Sequence, residues 1–330
     1  MHLLLKGLAI CSDDLPKGYL APARIDVCGS KDYTILSFIY WEPLSNQLDL
    51  GTANLNNVNQ FKVVRTKSSS DFKPGFKVGF GKYFSYDDWE LYTQYTFLHM
   101  TKRSSFDPSS FFGEFYTSWF FLNSNYDLPT ITSNIDNTWK MHLDKIDLEL
   151  ARPFYVGSKV IFRPYLGGSL HFFDQKYGLS LTTVSMQFVS IKSISWALGP
   201  RFGLNMQYFL PKNFRIFGNG AINLMYSSNK TKGLGSEQIN DYNLIDDKKY
   251  ILRDVQEIII GFGWGKYSAK KNWYYDLILA YEAQKYSQTN FMSRYAQTFS
   301  VEVAGNVSTV LVKPGDLFLH GLTTSFRLDF

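Results

Sequence analysis

Apolar and polar side chains alternate one for one along much of the chain. From Trp89 to Phe97 one face carries Trp89, Leu91, Thr93, Tyr95 and Phe97, and the other Glu90, Tyr92, Gln94 and Thr96. From Trp196 to Tyr208 the even positions are Trp196, Leu198, Pro200, Phe202, Leu204, Met206 and Tyr208, against Ala197, Gly199, Arg201, Gly203, Asn205 and Gln207. Further on, Trp273, Tyr275, Leu277, Leu279 and Tyr281 oppose Tyr274, Asp276, Ile278, Ala280 and Glu282. The chain ends with Phe326, Leu328 and Phe330 in step around Arg327 and Asp329. A period of two belongs to an extended strand, whose successive side chains point to opposite sides. Each strand thus has one apolar face and one face of glycine, small, polar and charged residues.

Segments of this kind number about twelve, near 33–42, 46–54, 58–66, 73–83, 88–101, 138–151, 158–174, 192–209, 213–229, 249–266, 272–287 and 318–330. Short connections are expected near 84–87, 152–157, 210–213 and 267–271, and long polar ones over 102–137, 175–191, 230–248 and 288–317. From the fourth strand on, short and long connections alternate. The pattern predicts an all-β transmembrane antiparallel barrel of about 12 strands (10–14), with short periplasmic turns and long extracellular loops. With an even strand number both chain ends fall on the short-turn side. Trp89, Tyr208, Trp264, Trp273 and Phe330 sit on the apolar face beside short turns, as an aromatic girdle would; Trp196 and Phe97 mark the opposite rim. A soluble β-sandwich alternates too, but globular strands average about 5–6 residues. Here they run far longer, and the polar faces are rich in glycine (Gly75, Gly79, Gly81, Gly199, Gly203), which suits a lumen.

Composition narrows the alternatives. With 28 Phe, 22 Tyr and 7 Trp in 330 residues, the chain is too aromatic to be disordered. The longest compact apolar run, Ile258 to Trp264, is about a third of the roughly 20 residues a spanning helix needs. A net charge of +5, dispersed along the chain, gives no nucleic-acid footprint. Residues 31–330 therefore read as one barrel domain, in contact with outer-membrane lipid. Residues 1–30 read as a leader, and Met1 to Ile10 resembles the tail of a secretory signal interrupted by Lys6. Cys11 and Cys28, the two cysteines, both fall in that leader.

The polar faces carry Glu90, Asp147, Glu149, Arg163, Arg201, Arg215, Asp276, Glu282, Arg327 and Asp329. An Arg or Lys on the lipid face at mid-bilayer costs about 2–4 kcal/mol, so these charges are expected to line the lumen. They could form a selective constriction or internal ion pairs; Asp147 and Glu149 opposite Arg163 read as structural. The aromatic segment 102–137, with Phe111, Phe112, Phe115, Tyr116, Trp119, Phe120 and Phe121, is the candidate for a loop packed into the mouth or against a partner. No catalytic or metal motif stands out. The five histidines (His2, His99, His142, His171, His320) lack metal-ligand spacing, and Gly167-Gly168-Ser169-Leu170-His171 is not a nucleophile elbow. Gly261 to Lys266 lacks the Ser or Thr of a phosphate loop, since Tyr267 stands there. No enzyme activity and no cofactor are expected.

Several short motifs in order carry a family likeness. They are Phe38-Ile39-Tyr40-Trp41-Glu42-Pro43, Lys73 to Gly81 (KPGFKVGFG), Asp88-Trp89-Glu90-Leu91-Tyr92, and Ile146 to Leu150 with Arg152, Phe154 and Tyr155. Then come Arg163-Pro164-Tyr165, Asp174 to Tyr177, Gly199 to Gly203, Phe217-Gly218-Asn219, and Gly321 to Phe330. Over about residues 33–330 the chain resembles the pore-forming outer-membrane proteins of Legionella and the Chlamydiae, the major-outer-membrane-protein-like family. The resemblance implies a Gram-negative outer-membrane barrel acting as a porin-like passive channel for ions and small solutes. The other expectation is a surface-exposed structural or adhesive barrel with an occluded lumen. Phe326, Leu328 and Phe330 resemble the signal read by the barrel-assembly machinery, and self-association stays open.

Overall fold

The computed structural model describes residues 25, 27, 32–54, 61–65, 72–84, 87–107, 115–117, 119, 134–182, 186–237, 240–269, 272–296, 299–303, 306–310 and 312–330. The leader, with Cys11 and Cys28, therefore lies outside the described residues, apart from positions 25 and 27. So do Phe111, Phe112, Phe120 and Phe121.

In chain order the strands are β1 (Asp32–Ser45), β2 (Asp49–Asn54), β3 (Phe61–Arg65), β4 (Lys73–Tyr83), β5 (Glu90–Phe106), β6 (Phe115–Thr117), β7 (Ile135–Ala151) and β8 (Phe154–Val156). They continue with β9 (Val160–Thr182), β10 (Met186–Phe209), β11 (Phe214–Glu237), β12 (Asn240–Tyr267) and β13 (Tyr274–Asn290). A short helix α1 (Met292–Ala296) precedes β14 (Phe299–Val303), β15 (Asn306–Val310) and β16 (Gly315–Asp329). Ten of these strands close into one antiparallel ring, β1–β4–β5–β7–β9–β10–β11–β12–β13–β16, with β16 pairing back onto β1. Closure satisfies every strand edge, the condition for backbone to cross lipid.

Register fixes the shape of the ring. From Tyr33, partners run through Gly81, Tyr92, Glu149, Gly167, Arg201, Asn223, Val255, Tyr286 and Leu317, and return to β1 at Ser45. One circuit thus climbs twelve residues. Twelve residues of rise over ten strand spacings corresponds to a tilt of about 40° and a backbone-to-backbone bore of about 20 Å. A bore of that size is one that side chains can fill.

Of the twelve expected strands, ten are in the ring, within the expected 10–14. The two that are not, 46–54 and 58–66, fall in the long β1–β4 connection and join β6 of the β5–β7 connection in a separate three-stranded sheet, β3–β2–β6. Alternation identifies a strand but not its partner, which is why these two looked like barrel staves. Connections on one side of the ring are short throughout, while the other side carries the long ones at β1–β4, β5–β7 and β13–β16. Two expected loops, 175–191 and 230–248, are instead continuations of β9 with β10 and of β11 with β12. These strands are 23, 24, 24 and 28 residues long. About 9–11 residues suffice to cross the bilayer, so both hairpins project well beyond it. Their polar composition suggested loops because ladder pairing away from lipid needs no apolar face.

The outward face of the ring is apolar and exposed: Leu36, Phe38, Phe80, Leu148, Leu198, Phe202, Ile258, Phe262 and Leu277 among others. Tyr208, Trp264, Trp273 and Phe330 are exposed at the short-turn rim with Trp89 half-buried beside them, and the Trp273 and Phe330 rings lie 6.1 Å apart. At the other rim Trp196 packs edge-on against Tyr226 at 6.0 Å.

Candidate functional site in the barrel lumen

Inward side chains form three levels. At the short-turn end Tyr33, Glu90, Tyr92, Arg163, Arg215, Arg327 and Asp329 surround a cavity of about 230 Å³, with Ile25 and Val27 also on its lining. Charges here are paired along the wall. Arg163 donates to Glu90 at 2.7 and 3.1 Å and to Glu149 at 3.0 Å, while the Tyr33 hydroxyl donates to the same Glu90. Arg215 forks onto both oxygens of Asp276, and Arg327 onto Asp329 at 2.6 and 2.8 Å, with its guanidinium 3.8 Å over the Tyr33 ring.

Above the cavity a layer of charge crosses the lumen. Arg201 donates to Glu257 at 2.8 and 3.1 Å, to Glu149 at 3.2 Å and to Asn223 at 3.1 Å. Lys145 pairs with Glu257 from the other side and with Asp147 at 3.1 Å, and Lys77 pairs with Glu282 at 2.6 Å beneath the Trp41 ring. These groups come from β4, β7, β10, β12 and β13, so the pairs span the barrel and are not confined to neighbouring strands. Relative exposure is 2% for Lys145, 1% for Asp147, 3% for Arg201 and 7% for Glu257. Charges buried this completely persist only when paired and hydrogen-bonded.

The third level, towards the long connections, is an apolar core inside the barrel. Ile39, Trp41, Leu98, Met100, Met141, Leu143, Phe173, Tyr177, Met225, Tyr286, Leu317 and Leu319 are all buried in one cluster. Trp119, in the segment expected to fold inward, stacks on Tyr177 at 4.1 Å and donates to the Asp49 carbonyl at 2.7 Å. That segment thereby caps the mouth through at least this ring.

The sequence-derived set Glu90, Asp147, Glu149, Arg163, Arg201, Arg215, Asp276, Glu282 and Arg327 all points into the lumen. Glu149 meets Arg163 as expected, but Asp147 goes to Lys145 and to Ser169. Lys77, Lys145, Asn223 and Glu257 were missed, although each shares the inward parity of its strand; parity alone could have found them. Ser169 and His171 do meet, Oγ to Nε2 at 2.7 Å, with Asp147 on the serine rather than on the histidine. Among the described residues no cluster of His, Cys, Asp and Glu is suited to hold a metal ion.

A closed antiparallel ring with an apolar outer wall, aromatic rims and a charged interior is a transmembrane β-barrel of the outer membrane. The chain belongs to the family described as Legionella pneumophila major outer membrane protein precursor, whose model matches residues 28–329. Short turns and both ends of the ring therefore face the periplasm and the long hairpins the exterior. No curated protein is similar enough in sequence to match. Among solved structures, the outer membrane protease OmpT of Escherichia coli is 8% identical, covering 94% of this chain and 99% of its own, with a TM-score of 0.43. A FadL homologue of Pseudomonas aeruginosa is 6% identical (94% and 93% covered, TM-score 0.26). The toluene transporter TodX of P. putida is likewise 6% identical (91% and 90%, TM-score 0.27).

Proposed function

We propose that this outer-membrane barrel is closed at rest, and that it acts through what it holds at the cell surface rather than by free passage of solutes. The observation carrying this reading is the stacking of two sealed levels in one lumen. An ion entering from the periplasmic cavity meets the Arg201–Glu257–Lys145 layer and then the Trp41–Met141–Phe173 core. Passing the first means separating buried ion pairs; passing the second means shedding water in an apolar interior. The passive-channel reading keeps one observation in its favour, the polar vestibule below the charged layer. Catalysis is not part of the proposal: Ser169 and His171 are each 1% exposed, and the buried imidazole Nδ1 has no hydrogen-bond partner among the described residues to orient it. Refolded protein in a planar bilayer is expected to show no stable conductance steps. Discrete, long-lived steps would overturn the closed reading and establish the channel.

For assembly, we propose that Phe326, Leu328 and Phe330 are the contact offered to the folding machinery. The Phe330 amide also closes the seam, donating to the Asp32 carbonyl at 3.1 Å. Deleting Phe330 is expected to lower the folded fraction several-fold in cells while detergent refolding proceeds, read from the heat-dependent gel shift of folded barrels. Equal folding in both settings would remove the signal role.

A further inference from the structure

A row of lysines crosses the outer wall just above the apolar band. Lys140 of β7 is the register partner of Lys176 on β9, Lys176 of Lys192 on β10, and Lys192 of Lys232 on β11. All four have outward parity; Lys140, Lys176 and Lys232 are exposed and Lys192 half-buried. At about 4.8 Å per strand the row is roughly 15 Å long, and the barrel tilt lets it climb about 9 Å. Arg103 on β5 and Lys248 on β12, both exposed, extend it at either end.

Height places the row at a membrane interface. The four lysines stand 11, 16, 17 and 18 residues from the periplasmic ends of their strands, at Ala151, Val160, Phe209 and Phe214. About 9–11 residues cross the hydrocarbon, so the row lies at or beyond its outer edge. Beneath it the same strands expose Leu148, Phe172, Ile194, Trp196, Leu224 and Tyr226 to lipid.

Like charges directly opposite one another on adjacent strands repel, and this row repeats the arrangement three times. One carboxylate among the lysines offsets part of it: Asp174 pairs with Lys192 at 2.7 Å. Asp144, lower on β7, is already engaged by His99 at 3.0 Å and by the Tyr95 hydroxyl. The far side of the barrel differs, because its outward charges are matched, Glu42 with His320 at 3.5 Å and Lys285 with Asp316 at 3.3 Å. Among the described residues the positive strip is therefore only partly offset, is one-sided, and sits on a greasy wall.

We propose that this strip docks a phosphorylated glycolipid of the outer leaflet, with its phosphates on the Lys140–Lys176–Lys232 row and its acyl chains on the face below. Lysine ammonium groups make charge-assisted hydrogen bonds to phosphate oxygens, and only an amphiphile of this layout meets both surfaces. Neither an anion in solution nor an uncharged lipid does.

The test is native mass spectrometry of the detergent-refolded full chain, titrated with bis-phosphorylated lipid A. Parallel titrations use enzymatically dephosphorylated lipid A, phosphatidylglycerol and inorganic phosphate. Wild type is expected to retain the bis-phosphorylated lipid at least tenfold more tightly than the dephosphorylated one. The triple substitution Lys140→Gln, Lys176→Gln and Lys232→Gln should lose that preference, and the corresponding triple Lys→Arg should keep it. Equal retention of the two lipid A forms by wild type would overturn the proposal and needs no variant. So would a preference for phosphatidylglycerol equal to that for lipid A, or saturation by inorganic phosphate alone.

Discussion

Replacing Arg201 with alanine is expected to destabilise the folded barrel by about 3–5 kcal/mol, the cost of leaving buried charge without its partner. Arg201 is the hub of the lumen layer: its guanidinium reaches Glu257 twice, and Glu149 and Asn223 once each. Without it, Glu257 keeps only Lys145 and Asn223, and Glu149 only Arg163. A protein core closes one side of the layer, so water can reach the stranded carboxylates only from the cavity on the other side. Denaturant unfolding in detergent micelles or liposomes measures the loss. The double substitution Arg201→Ala with Glu257→Gln should lose less than Arg201→Ala alone, since it removes one of the stranded charges. A double variant that is worse than the single would show that Glu257 contributes through packing rather than charge.

Gly167→Val is expected to cost about 3 kcal/mol, at the upper end of overpacking, and to deplete the folded gel-shifted form. A Cβ at Gly167 would stand 1.8 Å from the Leu148 carbonyl oxygen and 3.0 Å from the Glu149 Cα. Both obstacles are backbone of the paired strand β7, which cannot swing aside as a side chain can. Gly220→Val is the matched control. It lies on the lipid face, nothing stands within 4 Å of its Cβ position, and its effect should stay within about 0.5 kcal/mol. If the two variants fold equally well, the close approach of β7 to β9 is not a constraint on closure.

Much of the barrel was legible in single strands. Each ring strand carries its own period of two, so Leu198, Phe202 and Leu277 could be assigned to lipid and Arg201 and Asp276 to the interior without knowing any neighbour. The aromatic rims followed from where Tyr208, Trp264 and Trp273 fall relative to short connections. The strands 46–54 and 58–66 were legible as strands but not as outsiders, because alternation is the same whether a strand pairs in the ring or above it. The hairpins continuing β9 to β12 were hidden for the opposite reason. Once clear of lipid, neither face need be apolar, and polar ladders read as loops.

The amino-acid order by itself thus determined the strands, their faces, the sidedness of the connections and the family, all of which are written locally. Tertiary structure alone decided which charges meet and whether the lumen is open. Arg201 finds Glu257 across the barrel only because ten strands with a register climb of twelve residues set one radius and one rotation. Likewise Trp41, Met141 and Phe173 become a core only because that radius brings opposite walls within side-chain reach. Contacts across a closed sheet depend on all of its strands at once, so no window of sequence contains them.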